Sequence, residues 1–372
     1  MTNGQQTSHG HAGSSLDDDM LLRWLAEETL ALCAISSVTG DEAAITDHLM
    51  QRVAVLNPLA QQLRVGNALV VRCGRLGATR IGLFGHSDTV PPNTAQPHTI
   101  DWDAGKIYGL GASDMKAGLA VMLRLIADAD ALSNELVCVF YDREEGPVHQ
   151  SGMVPLCEQQ GALLKTLAAA VCLEPTDNRV EAGCSGSLQA QVFTHGKRAH
   201  SARPWLGDNA IYATLPLLTR LAGFSRRAVE VRGLTFYEVM SATQILTENA
   251  RNVIPDRVMV NVNYRFCPGK SLATAEADLR EVIGPNHSIQ IVDASPSGAV
   301  CTDDRTLARW IASCGVQVTA KQAWTDVARL TGLGIPAVNC GPGDPEQAHK
   351  VGEWCTLAGP LRNYHLLRRL VS

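Results

Sequence analysis

The residues best suited to chemistry in this 372-residue sequence stand at the ends of apolar runs. In ELVCVFYDREEG, an apolar run typical of a buried strand ends in adjacent carboxylates, Glu144 and Glu145. Two ionised carboxylates that are close together and desolvated repel each other. A bound cation would offset that repulsion, so the pair indicates a metal or other cation site.

Other polar residues follow apolar runs in the same way. They are His86 and Asp88 in GHSDTVP, Asp114 in GASDMK, Glu174 in LEPT and His349 in QAHKVGE. Ligand sites of α/β sheets form at the carboxyl ends of the strands, where one sheet could gather all of these side chains. Taken singly, each has an ordinary explanation, such as a structural histidine or a helix cap at Asp114. As a set they favour a ligand cluster.

Two histidines and three carboxylates are what a pair of divalent metal ions needs. Imidazole and carboxylate ligands suit zinc with one position left for water, and one carboxylate can bridge both ions as in two-metal hydrolases. Cobalt or manganese would accept the same ligands. Asp88, two residues after His86, is well placed to fix the tautomer of that histidine.

The adjacent glutamates then have different tasks. Consecutive side chains at a strand end point in different directions, so one can bind a metal while the other faces the metal-bound water. A metal lowers the pKa of its water from about 15.7 toward 7, and a carboxylate within reach acts as general base. The pattern therefore indicates metal-assisted hydrolysis.

Strand and helix patterns alternate up to about residue 182, which predicts a mostly parallel sheet covered by helices. The predicted helices are 20–32, 42–55, 113–132 and 153–164, and the predicted buried strands lie in 79–92, 135–146 and 167–176. Beyond 182, SLQAQVFTHG and RVMVNVNYRF alternate as half-buried antiparallel strands do, with helices at 209–221 and 273–282.

Near residue 288 the first pattern returns, with strands at SIQIVDA and IPAVNCGPG and helices at 303–313 and 325–330. We predict three regions. They are a disordered segment at 1–19, an α/β catalytic domain made of 20–182 and 293–372, and a smaller inserted α+β domain at 183–292.

Composition excludes some classes of function. The formal net charge of −5 offers no basic surface for nucleic acid. No apolar run approaches the ~20 residues of a membrane helix, and the first residues lack the layout of a secretory signal. The 11 cysteines are scattered singly, which favours a reducing cytoplasm over a disulfide framework.

Together these motifs resemble a known family, the di-zinc amidohydrolases and exopeptidases. Its members include succinyl-diaminopimelate desuccinylases, acetylornithine deacetylases, aminoacylases and carboxypeptidases of the G type. The matching motifs span 85–353 and are GHSDTVP, GASDMKAG, DREEG, LEPT, GKRAHSARP, NVIPDRVMVNVNYRF and AHKVGE. Within the family, the pattern is most similar to actinobacterial-type desuccinylases.

The resemblance implies roles for the clustered residues, with two zinc ions per subunit. Glu144 is implied as general acid and base, Asp88 as the residue that orients His86, and the peptide bond after Asp114 as cis. The implied metal ligands are His86, Asp114 and Glu174 for one ion and Asp114, Glu145 and His349 for the other, with Asp114 bridging.

The inserted domain resembles the family's dimerisation lid, which implies a homodimer. Without the resemblance, His200 in AHSARP would be interpreted as a surface loop residue. With it, His200 matches the lid histidine that stabilises the oxyanion in the partner subunit's site. The implied substrate contacts are Arg265, Asn249, Ser187 and Thr325. Arg265 suits a carboxylate clamp because its guanidinium is planar and bidentate, although a plain surface residue is an equal reading.

One departure concerns the substrate. The chain reads GCSGSL, with Cys184 and Ser185 where proteobacterial members have basic residues, so a carboxylate contact is missing or has moved to Arg198 or Arg203. The resemblance implies a small N-acyl amino acid substrate, N-succinyl-LL-2,6-diaminopimelate. The alternatives are another deacylase of the acetylornithine type, a dipeptidase, or a non-catalytic zinc-binding homologue.

Overall fold

The computed structural model describes residues 12–92 and 97–372, with side chains described from Asp17 onward. The chain divides into two compact units. The first consists of Met1–Glu181, Thr302–Val318 and Ile335–Ser372, and the second of Ala182–Cys301 and Thr319–Gly334. Within the described ranges, no helix is both long and apolar enough to cross a membrane.

The helices of both units are numbered in chain order. They are α1 (Ala12–Cys33), α2 (Ala43–Leu56), α3 (Ala117–Ala127), α4 (Met153–Leu164), α5 (Ala210–Ala213), α6 (Leu215–Ala222), α7 (Leu272–Ile283), α8 (Arg305–Cys314), α9 (Val327–Gly332) and α10 (Ala358–Val371).

The strands are numbered in the same way. They are β1 (Gln61–Val65), β2 (Ala68–Gly74), β3 (Arg80–His86), β4 (Thr99–Asp101), β5 (Lys106–Tyr108), β6 (Glu135–Tyr141), β7 (Leu167–Pro175), β8 (Val180–Ala182), β9 (Gly186–His195), β10 (Ala199–His200), β11 (Arg227–Val231), β12 (Leu234–Leu246), β13 (Val253–Ile254), β14 (Arg257–Phe266), β15 (Ser288–Ser295), β16 (Val318–Ala320), β17 (Ala337–Gly341) and β18 (Trp354–Thr356).

The first unit contains the sheet that was predicted to carry the chemistry. Six of its strands lie in the order β1-β2-β6-β3-β7-β17. The strands β6, β3, β7 and β17 run parallel to one another, and β1 and β2 are antiparallel. The predicted mostly parallel sheet is therefore confirmed. Its parallel strands end at His86, Tyr141, Pro175 and Gly341, so the polar residues that follow the apolar runs share one edge.

Helix α3 forms the centre of the first unit's core. Its residues from Ala117 to Ile126 are buried except for Arg124. A helix that is apolar on nearly every side is typically enclosed, and α3 packs against β3 and β7 as well as against α1 and α10. This packing holds the turn before α3, which carries Asp114, against the sheet.

The second unit is built on an antiparallel sheet with the order β11-β12-β14-β9-β15. Because side chains alternate along a strand, one face is apolar and the other polar. The apolar face, with Leu188 and Val260, forms a core with Leu217 of α6 and Leu279 of α7. The polar face carries Ser187 on β9 and Arg265 on β14.

Three predicted boundaries differ from the structure. Strand β15, predicted to continue the first pattern, pairs with β9 in the second unit's sheet, and Thr319–Gly334 also belongs to that unit. The predicted helix 209–221 is two helices, α5 and α6. Pro216 has no backbone N–H to donate, and in a continuous helix its ring would clash with the carbonyl of Tyr212.

The predicted disordered segment 1–19 is wrong for residues 12–19, which belong to α1; residues 1–11 lie outside the described chain. Nε2 of His365 on α10 lies 2.9 Å from Oδ1 of Asp18, which ties this part of α1 to the last helix. The hairpins β1–β2 and β11–β12 and the helix α10 were not predicted.

Candidate metal centre and active site

His86 is the last residue of β3 and is buried. Its Nε2 lies 3.1 Å from Oδ1 of Asp114, while its Nδ1 lies 3.1 Å from the carbonyl oxygen of Asp88 and 3.5 Å from Oδ1 of that residue. Burial lowers the pKa of His86, but the two carboxylates outweigh it and raise that pKa well above its ordinary value. The ring is thus oriented on one side by Asp88 and directed at Asp114 on the other.

Asp88 has a second task that sequence reasoning missed. Its carboxylate accepts hydrogen bonds from the backbone N–H groups of Glu144 and Glu145, at 2.9 and 3.1 Å, and from the hydroxyl of Thr39 at 2.9 Å. Burial raises the pKa of Asp88, but the bonds from His86 and these donors hold it below its usual value. One buried carboxylate therefore orients His86 and shapes the turn that presents both glutamates.

Asp114 lies in a short helical turn, Ala112–Lys116, and its peptide bond to Met115 is cis, as the resemblance implied. The turn is held by Glu353, which is 2% exposed. The Glu353 carboxylate accepts from the backbone N–H groups of Gly111, Ser113 and Asp114 at 2.8, 2.7 and 2.9 Å. Burial outweighs these donors and raises the pKa of Glu353 to about 7.

His349 follows β17 in a loop, and its side chain is 52% exposed. Its Nε2 lies 2.7 Å from Oε1 of Glu145 and 3.7 Å from Oδ2 of Asp114. The hydrogen bond to Glu145 is the main reason that the pKa of His349 is raised to about 9. Without metal, a protonated imidazole supplies the positive charge between these carboxylates.

Three groups of side chains within residues 12–92 and 97–372 could hold a metal ion, each with ligand atoms within 4.8 Å of one another. They are His86–Asp114–Glu174, Asp114–Glu145–His349 and His86–Glu144–Glu145. The first two share Asp114 and match the two predicted ligand sets. The ligand assignments themselves stay predictions.

The donor set fits a pair of divalent cations. Each of the two groups that share Asp114 offers one imidazole nitrogen and two carboxylates, a set that suits zinc and similar ions. Their carboxylates would repel one another without compensation. Glu144 borders the same cluster, as a residue that handles the proton of an attacking water must.

The remaining predicted site residues lie in the second unit. Arg265 on β14 and Ser187 on β9 are direct cross-strand partners on the polar face of the sheet. Thr325 is buried before α9, and its carbonyl oxygen lies 3.5 Å from Sγ of Cys184. The structure therefore brings Arg265 next to Ser187, and Thr325 next to Cys184.

His200 and Asn249 lie beside the same short strand, β13. His200 pairs with Val253, its side chain is exposed, and its Nδ1 accepts from the N–H of Ala202 at 3.0 Å, which leaves Nε2 to face outward. The Asn249 amide donates to the carbonyl oxygens of Ala250 and Val253 at 3.0 Å. Asn249 thus braces the segment that supports His200.

The chain belongs to peptidase family M20/M25/M40, and the sequence model of that family matches residues 82–372. This confirms the family that the motifs resemble and the predicted class, a hydrolase of amide bonds.

Two relatives named as succinyl-diaminopimelate desuccinylases are similar to this chain over most of its length. A candidate succinyl-diaminopimelate desuccinylase of Mycobacterium tuberculosis is 38% identical over 349 residues, which cover 93% of this chain and 97% of the relative. A succinyl-diaminopimelate desuccinylase of Corynebacterium glutamicum is 36% identical over 338 residues, covering 88% and 90%.

Solved structures share the fold at low identity. A tripeptidase of Staphylococcus aureus superposes with a TM-score of 0.77 at 18% identity, covering 94% of this chain and 97% of that one. An M20 family metallo-carboxypeptidase of Sulfolobus solfataricus gives 0.74 at 16%, covering 93% and 98%. A dinuclear metal-binding M20 peptidase of Bacillus subtilis gives 0.67 at 15%, covering 95% and 98%.

Glu353 is the supporting residue that sequence reasoning came closest to finding. It ends the motif AHKVGE, four residues after His349. Its position in a family motif was a signal, but its hydrogen bonds reach Ser113, 240 residues away, and no local pattern reveals such a partner.

Glu353→Gln tests how Asp114 is held. The amide offers one acceptor oxygen in place of two and turns an NH2 toward a backbone donor, so we expect a loss of about 1–3 kcal/mol in unfolding free energy. We also expect metal affinity to fall about 10–100-fold, as when supporting contacts of metal ligands are removed. Urea unfolding and metal titration measure both. Glu346→Gln, at an exposed position nearby, is the control; equal behaviour of the two variants would contradict this role.

Metal binding should strengthen as the pH rises toward 9. A metal must displace the proton of His349, whose pKa is about 9 in the metal-free protein, so affinity should increase about tenfold per pH unit for each proton released. Calorimetry of the metal-stripped protein between pH 6.5 and 9, in buffers of different ionisation enthalpy, counts the protons. Binding without proton release would show that His349 is not a ligand.

Proposed function

We propose that this protein is a di-zinc amide hydrolase that converts N-succinyl-LL-2,6-diaminopimelate and water into LL-2,6-diaminopimelate and succinate, a step toward lysine and cell-wall precursors. The observation that carries the proposal is the pair of ligand groups that share Asp114, bordered by Glu144. The desuccinylase relatives, matched over most of both chains, support the choice of substrate.

Two Zn²⁺ ions, with Co²⁺ or Mn²⁺ able to substitute, would be held by the two groups that share Asp114. When bound they would polarise the amide carbonyl and lower the pKa of an attacking water. Their ligands are His86, Asp114 and Glu174 for one ion, and Asp114, Glu145 and His349 for the other.

The protein's own residues move the protons. Glu144 takes a proton from the attacking water and passes it to the leaving amine nitrogen. Asp88 fixes the backbone of Glu144 and the ring of His86. His200 of the partner subunit stabilises the negative charge that develops on the carbonyl oxygen, and its outward Nε2 suits that role.

Substrate contacts are assigned to the second unit. Arg265 binds a carboxylate, since it lies on the polar sheet face beside Ser187. Asn249 and Thr325 are assigned as further contacts of the same substrate. The rival substrates are acetylornithine-type N-acyl amino acids and dipeptides, and a non-catalytic homologue is the rival of another class.

The active form is a homodimer through the second unit, in a reducing cytoplasm. Exposed apolar side chains of this unit, including Trp205, Tyr212 and Leu215, offer contact surface. No disulfide joins the 11 cysteines, all of which lie in the described part of the chain, in keeping with a reducing compartment.

A substrate panel with and without zinc tests the function. We expect release of succinate from N-succinyl-LL-2,6-diaminopimelate at a rate well above deacetylation of N-acetylornithine or cleavage of a dipeptide, and loss of activity after chelation with recovery on adding zinc. Equal rates on succinyl and acetyl substrates would contradict the substrate assignment. Metal binding with no turnover on any of them would favour the non-catalytic homologue.

Glu144→Gln and Glu145→Gln separate the tasks of the adjacent glutamates. Glu144→Gln should keep its bound zinc but lose about 10²–10⁴-fold in kcat, the contribution of a general base. Glu145→Gln should lose metal itself, because it removes a charged ligand. Metal analysis and steady-state kinetics on both variants measure this. Undiminished kcat in Glu144→Gln would show that another group takes the proton.

Tyr212→Asp and Leu215→Asp test the dimer. These side chains are 70% and 58% exposed in the single chain, and burying a carboxylate in an interface core is costly. The wild type should run as a dimer in light scattering and the variants as monomers. Leu59→Asp, at an 85% exposed position of the first unit, is the control and should stay dimeric. A monomeric wild type would overturn the dimer.

A further inference from the structure

A row of polar side chains crosses the middle of the second unit's sheet. Arg265 on β14 is the direct partner of Ser187 on β9, and Ser187 is the direct partner of Ser295 on β15. Direct cross-strand partners point to the same face of a sheet, with Cβ atoms about 4.5–5.5 Å apart. The guanidinium and two hydroxyls therefore occupy neighbouring positions on three adjacent strands.

Two donors on this face of the sheet lack acceptors. The Ser295 hydroxyl, on a residue that is 1% exposed, and the Asn263 amide nitrogen are both buried without a hydrogen-bond partner in the described chain. Oδ1 of Asn263 is already used, because it accepts from Nε of Arg265 at 3.2 Å. The Asn263 amide group is thereby oriented with its N–H donors directed elsewhere.

Arg265 itself is incompletely paired. Its one hydrogen bond to a described residue uses Nε, so the two terminal nitrogens have donors to spare. Asp293, two residues before Ser295, raises the pKa of Arg265 by its charge, but burial is the larger effect and lowers that pKa overall. Asp293 forms no ion pair with Arg265 among the contacts of the described chain, so the guanidinium charge is not neutralised by direct contact.

A further neutral donor lies two residues before Ser187. The Ser185 hydroxyl is also buried without a partner in the part of the chain that is described. Cys184, where a basic side chain is expected from the resemblance, is fully buried, and a β-carbon on the facing Gly298 would lie 2.8 Å from its Sγ. Packing this tight leaves no room for a longer side chain in the direction of the Cys184 thiol.

A buried donor without an acceptor is destabilising. Several such donors on the sheet face that carries Arg265 are accounted for if an anion with several acceptor oxygens binds at that face. A carboxylate fits, because its two oxygens accept about four hydrogen bonds and match the guanidinium fork. A single cationic group assisted by neutral donors suits a monoanion.

We propose that Ser295 and Asn263 complete, with Arg265 and Ser187, a receptor for a substrate carboxylate, in which neutral donors take the place of a second basic side chain. The inference rests on the proposed function for the identity of the substrate. Its carboxylate is either that of the succinyl group or one of the diaminopimelate portion.

Ser295→Ala is the discriminating variant. Removing one neutral donor to a carboxylate should raise the KM for the succinyl substrate about tenfold with little change in kcat. Because the hydroxyl has no internal partner, the thermal midpoint should stay the same or rise, whereas a structural hydroxyl would lower it. Ser288→Ala, at the exposed start of the same strand β15, is the control for KM and should leave it unchanged; its hydroxyl lies 3.2 Å from Nε2 of His195, so its midpoint shows what the loss of a partnered hydroxyl does.

Direct binding identifies which carboxylate is held. We would measure the Kd of succinate and of LL-2,6-diaminopimelate for the zinc-loaded wild type, Ser295→Ala and Arg265→Gln by calorimetry. Arg265→Gln should weaken the ligand concerned by about 30-fold or more, and Ser295→Ala should weaken the same ligand. A change for succinate alone assigns the acyl carboxylate, and a change for diaminopimelate alone assigns the other.

Different results would contradict the carboxylate receptor and the proposed desuccinylase function. Unchanged KM and unchanged Kd values for both ligands in Ser295→Ala, with desuccinylation intact in the wild type, would overturn the receptor and leave the function standing. Weakened succinate binding in Ser295→Ala, in a wild type that hydrolyses no succinyl substrate, would support the receptor and overturn the function.

Discussion

The carboxylate of Asp114 lies between two imidazoles, and the chemistry of the first unit depends on its being held there. Nε2 of His86 lies 3.1 Å from one oxygen and Nε2 of His349 lies 3.7 Å from the other. Asp114 reaches this position from a turn in which the backbone N–H groups of Gly111, Ser113 and Asp114 converge on Glu353. Burial makes the Glu353 carboxylate costly to charge and raises its pKa, although the three backbone donors act in the opposite direction. Glu353 supports the site by fixing the backbone that carries Asp114.

Asp88 performs the corresponding task for the strands. It follows β3, yet its carboxylate accepts from the backbone of Glu144 and Glu145, which follow the neighbouring parallel strand β6. One acceptor thus ties the ends of two strands together and sets the directions in which the paired glutamates leave the backbone. The repulsion between those glutamates is reduced by the imidazole of His349, whose Nε2 lies 2.7 Å from Oε1 of Glu145.

The two units differ in the charge and hydrogen-bonding character of the side chains that they bring together. The first gathers carboxylates and imidazoles, an arrangement whose excess negative charge favours divalent cations. The second presents donors in excess of acceptors around Arg265, an arrangement that favours an anion. The proposed carboxylate receptor consists of neighbours on adjacent strands, so its geometry is set by the register of β14, β9 and β15.

The sequence by itself determined the parts of this protein that depend on local pattern. An apolar run followed by a polar residue predicted the strand ends at which His86 and Glu144 lie, and period-two alternation predicted β14. Helix α4 was predicted at its observed bounds, 153–164. The ligand types were readable because metal coordination restricts the choice to a few side chains.

Only the tertiary structure decided the partners. The sequence predicts a strand at SIQIVDA, 288–294, but not which sheet receives it, since pairing depends on register between distant segments. The bond from Ser113 to Glu353 spans 240 residues, and the row from Arg265 through Ser187 to Ser295 joins three separate strands. Hydrogen bonds and cross-strand contacts act between neighbours in space, and a linear sequence does not record which distant residues become neighbours.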